Sequence, residues 1–195
     1  MPFEQSAKYT ITNHCFNVVA PDVDPAFLTR NDLLTPIAVP SRSAEAPPSF
    51  ILEKQDNGAF HVLIPGGPNI KTRKAIAFNN LLYAEHIPTD EDQKTPSVPG
   101  NSNIEWEILS TVREGTSPDY TKINGIYMIA VRGQPRMVWT LPGGKEGTQV
   151  EVVDLFTANL KDPIVERAYS VSPEPKWRPR QWLWRITPVD PDSGF

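Results

Sequence analysis

Residues able to do chemistry are few in this chain, and most of them stand alone. His14, His61, His86 and Cys15 are the types that bind metals or act as nucleophiles. None falls in an H-E-x-x-H pattern or a close His/Cys cluster, so no metal and no cofactor is expected. Cys15 directly follows His14, but neighbours on a strand point to opposite faces, and a structural cysteine is the better reading than a thiol nucleophile. No G-x-S-x-G elbow is present. The run Pro142-Gly143-Gly144-Lys145 lacks the first glycine and the following hydroxyl of a phosphate-binding loop. Nothing here requires an enzyme.

Two loops carry residues better suited to being recognised than to reacting. The first spans Pro21 to Asp32, with Arg30 as its only cation, flanked by Thr29 and Asn31. A guanidinium on such a loop can meet a carboxylate bidentately; the plainer reading is a solvated cation paired with Asp32. The second spans Pro65 to Arg73 and displays Asn69, Ile70 and Lys71, with prolines that restrict it and glycines that permit unusual turns. Pro68-Asn69 also reads simply as a turn pair. A third stretch, Lys176 to Arg185, concentrates aromatics and cations that could stack on sugars. Trp182 and Trp184 share one face at period 2, and Trp184 matches Trp106 as a core anchor. Trp177 lies outside that pattern and is the candidate carbohydrate contact.

The elements that must position these loops follow from composition and periodicity. The chain has 195 residues, 21 prolines, one cysteine and a formal net charge of −4. Prolines spread along the whole length disfavour long helices, because each interior proline removes a hydrogen bond and clashes with the preceding turn. The charge offers no basic field for a polyanion, so no nucleic-acid partner is expected. No apolar run approaches the roughly 20 residues of a membrane-spanning helix, so no membrane partner is expected either. A single cysteine excludes an internal disulfide, and the start Met1-Pro2-Phe3-Glu4-Gln5-Ser6 lacks a secretory pattern, so a cytoplasmic protein is expected.

Period-2 apolar runs predict strands at Tyr9–Thr12, Phe60–Ile64, Tyr127–Val131 and Val150–Val153, separated by turn clusters. A faint threefold repeat runs through them. Tyr9, Phe60 and Tyr127 each open a unit. A second strand follows, at Phe16–Val19, Ala75–Phe78 and Met137–Leu141, and each unit closes on an aromatic-centred strand, at Phe50–Leu52, Ile104–Ile108 and Trp182–Ile186. The stretches Tyr83–Asn103 and Phe156–Arg180 read as long surface insertions. The expectation is one all-β domain over 1–195, core about 7–189, with repeats near 7–55, 58–112 and 120–189 and twelve strands.

A threefold chain whose units end on W-x-I-like strands, the last being Trp182-Leu183-Trp184-Arg185-Ile186, resembles a β-trefoil. Ricin-B-type lectins share that ending. The closer resemblance is to the cysteine-poor, signal-less β-trefoil protease inhibitors of mushrooms, the mycocypins and related fungal serine protease inhibitors. It implies a fungal defence protein in which a rigid barrel carries variable loops, and a protease as partner. Thr29-Arg30-Asn31 is similar to the loop that presents an arginine to trypsin-like enzymes. Asn69-Ile70-Lys71 is similar to the loop that meets legumain-type cysteine proteases through an asparagine, or trypsin through a lysine, with Asn69 matching the first option and Lys71 or Arg73 available for the second. The turn at Asn13-His14-Cys15 departs from the pattern used against papain-like enzymes, since it lacks the expected glycine. The alternatives are a carbohydrate-binding lectin, with a glycan as partner, and a non-catalytic trefoil that docks another protein. For the lectin, Asp22, Asp24 and Asp154 are candidate turn acids, with no matched aromatic repeating beside them.

Overall fold

Alternation of apolar and polar residues sets the inner face of each strand, and the computed structural model shows where those faces meet. It describes residues 3, 7–14, 34–39, 49–64, 72–86, 105–110, 125–154 and 181–189. These form eleven strands and no helix: β1 (Lys8–Asn13), β2 (Leu34–Pro36), β3 (Phe50–Lys54), β4 (Phe60–Ile64), β5 (Arg73–Phe78), β6 (Leu81–His86), β7 (Trp106–Ser110), β8 (Ile126–Val131), β9 (Gln134–Thr140), β10 (Glu151–Asp154) and β11 (Trp184–Pro188). In β1 the pattern is explicit: Tyr9, Ile11 and Asn13 are buried while Thr10 and Thr12 between them are partly exposed.

All pairings are antiparallel and belong to one sheet that closes on itself. The closed path runs β10-β9-β8-β11-β1-β3-β4-β5-β6 and returns to β10, taking in nine strands. β7 bridges β4 and β8, which cuts a smaller ring of β1, β3, β4, β7, β8 and β11 out of the same sheet. Closure leaves this inner barrel without an exposed edge. The pairing pattern of β4 to β7 recurs in β8 to β11: the first strand of each group pairs the second and the fourth, and the second pairs the third.

The expectation of twelve strands in three matched units is corrected here. Eleven strands are described, and the first group contributes only β1, β2 and β3. The strand expected at Phe16–Val19 lies outside the described residues. β2 is only three residues long and ends on Pro36, which has no amide hydrogen to extend the ladder. The insertion expected from Tyr83 begins within β6, which pairs with β5 over Arg73–Phe78. The tight hairpin between them is made by Asn79 and Asn80, both left-handed at φ 50° and 63°, the geometry of a two-residue primed turn that asparagine tolerates.

The core is layered around an axis. Tyr9, Phe60 and Tyr127 pair across strands with Phe50, Trp106 and Trp184 respectively. Ile11, Val62 and Ile129 follow two residues along and are fully buried. One level further come Asn13, Ile64 and Val131, where the buried Asn13 is satisfied by donating from Nδ2 to the Gln181 carbonyl at 2.8 Å. At the cap, three backbone bonds make a cycle: the Ile37 amide donates to Leu82, Leu82 to Val150, and Val150 back to Ile37, at 3.0, 2.9 and 2.9 Å. Three fully buried tryptophans link the barrel strands β7 and β11 to β9. Trp139 contacts Trp106 at 5.1 Å and Trp184 at 6.1 Å between ring centroids, both edge-on. Trp106 Nε1 donates to the Ala75 carbonyl and Trp184 Nε1 to the Trp139 carbonyl, each at 3.0 Å. Trp139 thus stands in β9 where β5 has Ala75, and unit three fills with an indole what unit two leaves small.

Candidate functional site

Thr29, Arg30, Asn31, Asn69, Ile70, Lys71 and Trp177 all lie outside the described residues, as does Cys15. Of the candidate turn acids, Asp154 is described: it ends β10, opposite Met137, and is half-buried.

The described residues bring together a polar patch on the outer wall of the barrel. Glu105 precedes the inward-facing Trp106, and alternation directs it outward. Arg132 Nη1 donates to Glu105 Oε2 at 2.7 Å, and the Arg132 amide donates to the Glu105 carbonyl at 3.0 Å. Asn57 Nδ2 lies 3.2 Å from both carboxylate oxygens. The same asparagine uses Oδ1 to accept the Ala59 amide at 3.0 Å, which fixes the β3–β4 turn. Gly58 completes that turn at φ 82°, a region glycine enters without Cβ strain. On the β8–β9 turn, Gly133 at φ 70° aims its amide at Glu107 Oε1, 3.1 Å away. His61 Nδ1 and Glu53 Oε2 are 3.3 Å apart on paired strands.

Electrostatically the patch favours the ionised form of Glu105. The hydrogen bond from Arg132, then that from Asn57, hold the Glu105 carboxyl below the usual glutamate range; the charges of Arg132 and His61 act in the same direction. Glu105 still has acceptor capacity beyond the bonds it makes, since a carboxylate offers about four lone-pair positions. Chemically the group can accept hydrogen bonds from hydroxyl or amide donors. Its internal bonds also join the β3–β4 and β8–β9 turns across Glu105, so it supports the barrel wall. Alternation either side of Trp106 places Glu105 and Glu107 at the surface; nothing in that pattern points to Asn57 and Arg132 as the partners of Glu105. Those partners sit in Asn-Gly and Arg-Gly turns. Two such turns flanking one acidic strand are the signal that could have found them.

A second cluster sits on the axis. Phe3, partly buried and outside every strand, packs against Tyr9, Phe60 and Tyr127. Among the described residues no group of three or more His, Cys, Asp or Glu is placed to hold a metal ion.

No family model matches the chain, and comparison with curated proteins returns no match. Solved structures do match in shape. The designed three-fold symmetric protein ThreeFoil superposes with a TM-score of 0.54 at 8% identity, covering 93% of this chain and 99% of that one. The Rhizoctonia solani agglutinin gives 0.51 at 11% identity, over 97% of this chain and all (100%) of the other. A mosquitocidal holotoxin gives 0.52 at 11% identity, but this chain spans only 18% of it. With the cyclic bonds of the cap and the aromatic cluster at the base marking one axis, these likenesses define a β-trefoil-like fold.

Proposed function

We propose that this protein is a trefoil lectin: a non-catalytic module over residues 1–195 that binds carbohydrate through groups carried on a rigid barrel. The supporting observation is that its fold runs end to end over an agglutinin. Fold alone does not assign function, so the weight falls on the surface chemistry. Trp177 is the candidate stacking plate, and the Glu105 patch is a set of oriented acceptors of the kind that sugar hydroxyls meet. Arg30 and Asn69 lie outside the described residues, as Trp177 does, and none of the structural likenesses points to protease inhibition.

A glycan array probed with the intact protein and with Trp177→Ala tests the reading. Saturable binding to a defined sugar, weakened at least about tenfold in the variant, is the expected result. No binding to any glycan, together with stoichiometric inhibition of trypsin or legumain that is lost in Arg30→Ala or Asn69→Ala, would replace the lectin with a protease inhibitor. Neither binding nor inhibition would leave the protein-docking trefoil.

A further inference from the structure

The base of the barrel is closed by a side chain that belongs to none of its strands. The Phe3 ring lies 5.5 Å from Tyr9, 5.6 Å from Phe60 and 5.3 Å from Tyr127 between centroids, at interplanar angles of 81°, 84° and 59°. Its three neighbours come from β1, β4 and β8, far apart in sequence, and each sits across from an aromatic of the closing strand: Phe50, Trp106 or Trp184. The next inward residues along the three strands are Ile11, Val62 and Ile129, all fully buried, which give the cup an apolar floor.

Two features make this more than generic packing. Aromatic pairs prefer edge-to-face geometry because the ring face is negative and the edge positive, and Phe3 meets two of its three partners within about ten degrees of perpendicular by that criterion. The cup is therefore matched to a flat ring as well as to apolar volume. Second, Phe3 precedes Tyr9, one wall of the cup, by only a short stretch of chain. A group on so short a tether occupies its site at an effective concentration on the order of millimolar. Without it, an apolar cup walled by rings and floored by aliphatic side chains would face solvent at the foot of the barrel, a surface that a single aromatic ring can cover.

We propose that the cup of Tyr9, Phe60 and Tyr127 is a binding site for one monocyclic aromatic ring, which Phe3 occupies as a tethered ligand, and that withdrawing Phe3 opens it to a ring supplied in trans. The site lies at the foot of the barrel and does not depend on the lectin reading.

The test is a toluene titration of the full-length protein and of Phe3→Ala, followed by melting temperature and by the NMR ring signals of Tyr9 and Tyr127. In Phe3→Ala the melting temperature rises saturably with toluene and the two tyrosine signals shift, whereas the unaltered protein needs at least about tenfold more toluene for the same response. Cyclohexane, similar in size but without a ring quadrupole, produces a smaller rise than toluene in the variant. A folded variant that ignores toluene, an equal response from the unaltered protein, or an equal response to cyclohexane overturns the proposal. Should Phe3→Ala fail to fold alone, its refolding yield is compared with and without toluene. Recovery of folded protein supports the site, and no recovery overturns it.

Discussion

The two ends of the axis are closed by opposite means. At the cap, Ile37, Leu82 and Val150 exchange backbone hydrogen bonds in a cycle; at the base, Phe3 is gripped by the side chains of Tyr9, Phe60 and Tyr127. Backbone closure tolerates substitution, because every residue except proline supplies the same donor and acceptor. Side-chain closure depends on particular rings. The cap should therefore keep its geometry through mutation while the base loses its own with one residue.

Mutating each end sharpens that contrast. Leu82→Ala removes a fully buried side chain at the cap and should cost about 2–5 kcal/mol in urea unfolding, the usual range for a core leucine. Native-state hydrogen exchange should still place the Ile37, Leu82 and Val150 amides among the slowest. Early exchange at all three in this variant would mean that the side chain, rather than the backbone cycle, holds the cap. Phe3→Ala should cost less, about 1–3 kcal/mol, because Phe3 is only partly buried, where a fully buried phenylalanine costs about 3–5 kcal/mol. A loss that extends to faster exchange at the cap amides would show that the two ends are not independent.

Smaller effects come from the wall between the ends. Replacing Asn80 by glycine relieves a non-glycine residue at φ 63° and should stabilise by up to about 1 kcal/mol, since Asn-Gly suits the two-residue primed turn. The smallest effect is electrostatic. Glu105 has a lowered folded pKa, first through Arg132. The unfolded chain therefore takes up a proton there more readily than the native one. The stabilisation is complete above the unfolded glutamate pKa and is lost as pH falls through the lowered native value. An NMR titration should find Glu105 deprotonating below the ordinary glutamate range, and Arg132→Ala should move it back towards that range. An unchanged titration in that variant would remove Arg132 as the cause.

Much of the barrel was legible because its strands announce themselves locally. Tyr9-Thr10-Ile11 and Phe60-His61-Val62 alternate as half-buried strands must, and Trp106 and Trp184, picked as matched anchors, are both fully buried. β6 was missed because the composition after Tyr83 is that of a loop, and the Asn79-Asn80 turn that defines the hairpin carries no glycine. Phe3 gave no periodic signal. Its role exists only after three remote strands have met, and no window of sequence contains that fact. The cyclic bonds at Ile37, Leu82 and Val150 were invisible for the opposite reason, since any sequence can make them. The loops chosen for Arg30 and Asn69 were read from local turn chemistry, which says where a side chain is displayed and nothing about what it meets.

The cap cycle also bears on how the molecule assembles. Each of its bonds joins a different pair among three distant parts of the chain, so two parts alone make one bond and leave a donor and an acceptor unmatched. Only the third arrival satisfies them all. Loops must close over long sequence separations before that reward is collected, which places the cycle late in folding and favours slow, all-or-none assembly over stepwise gain.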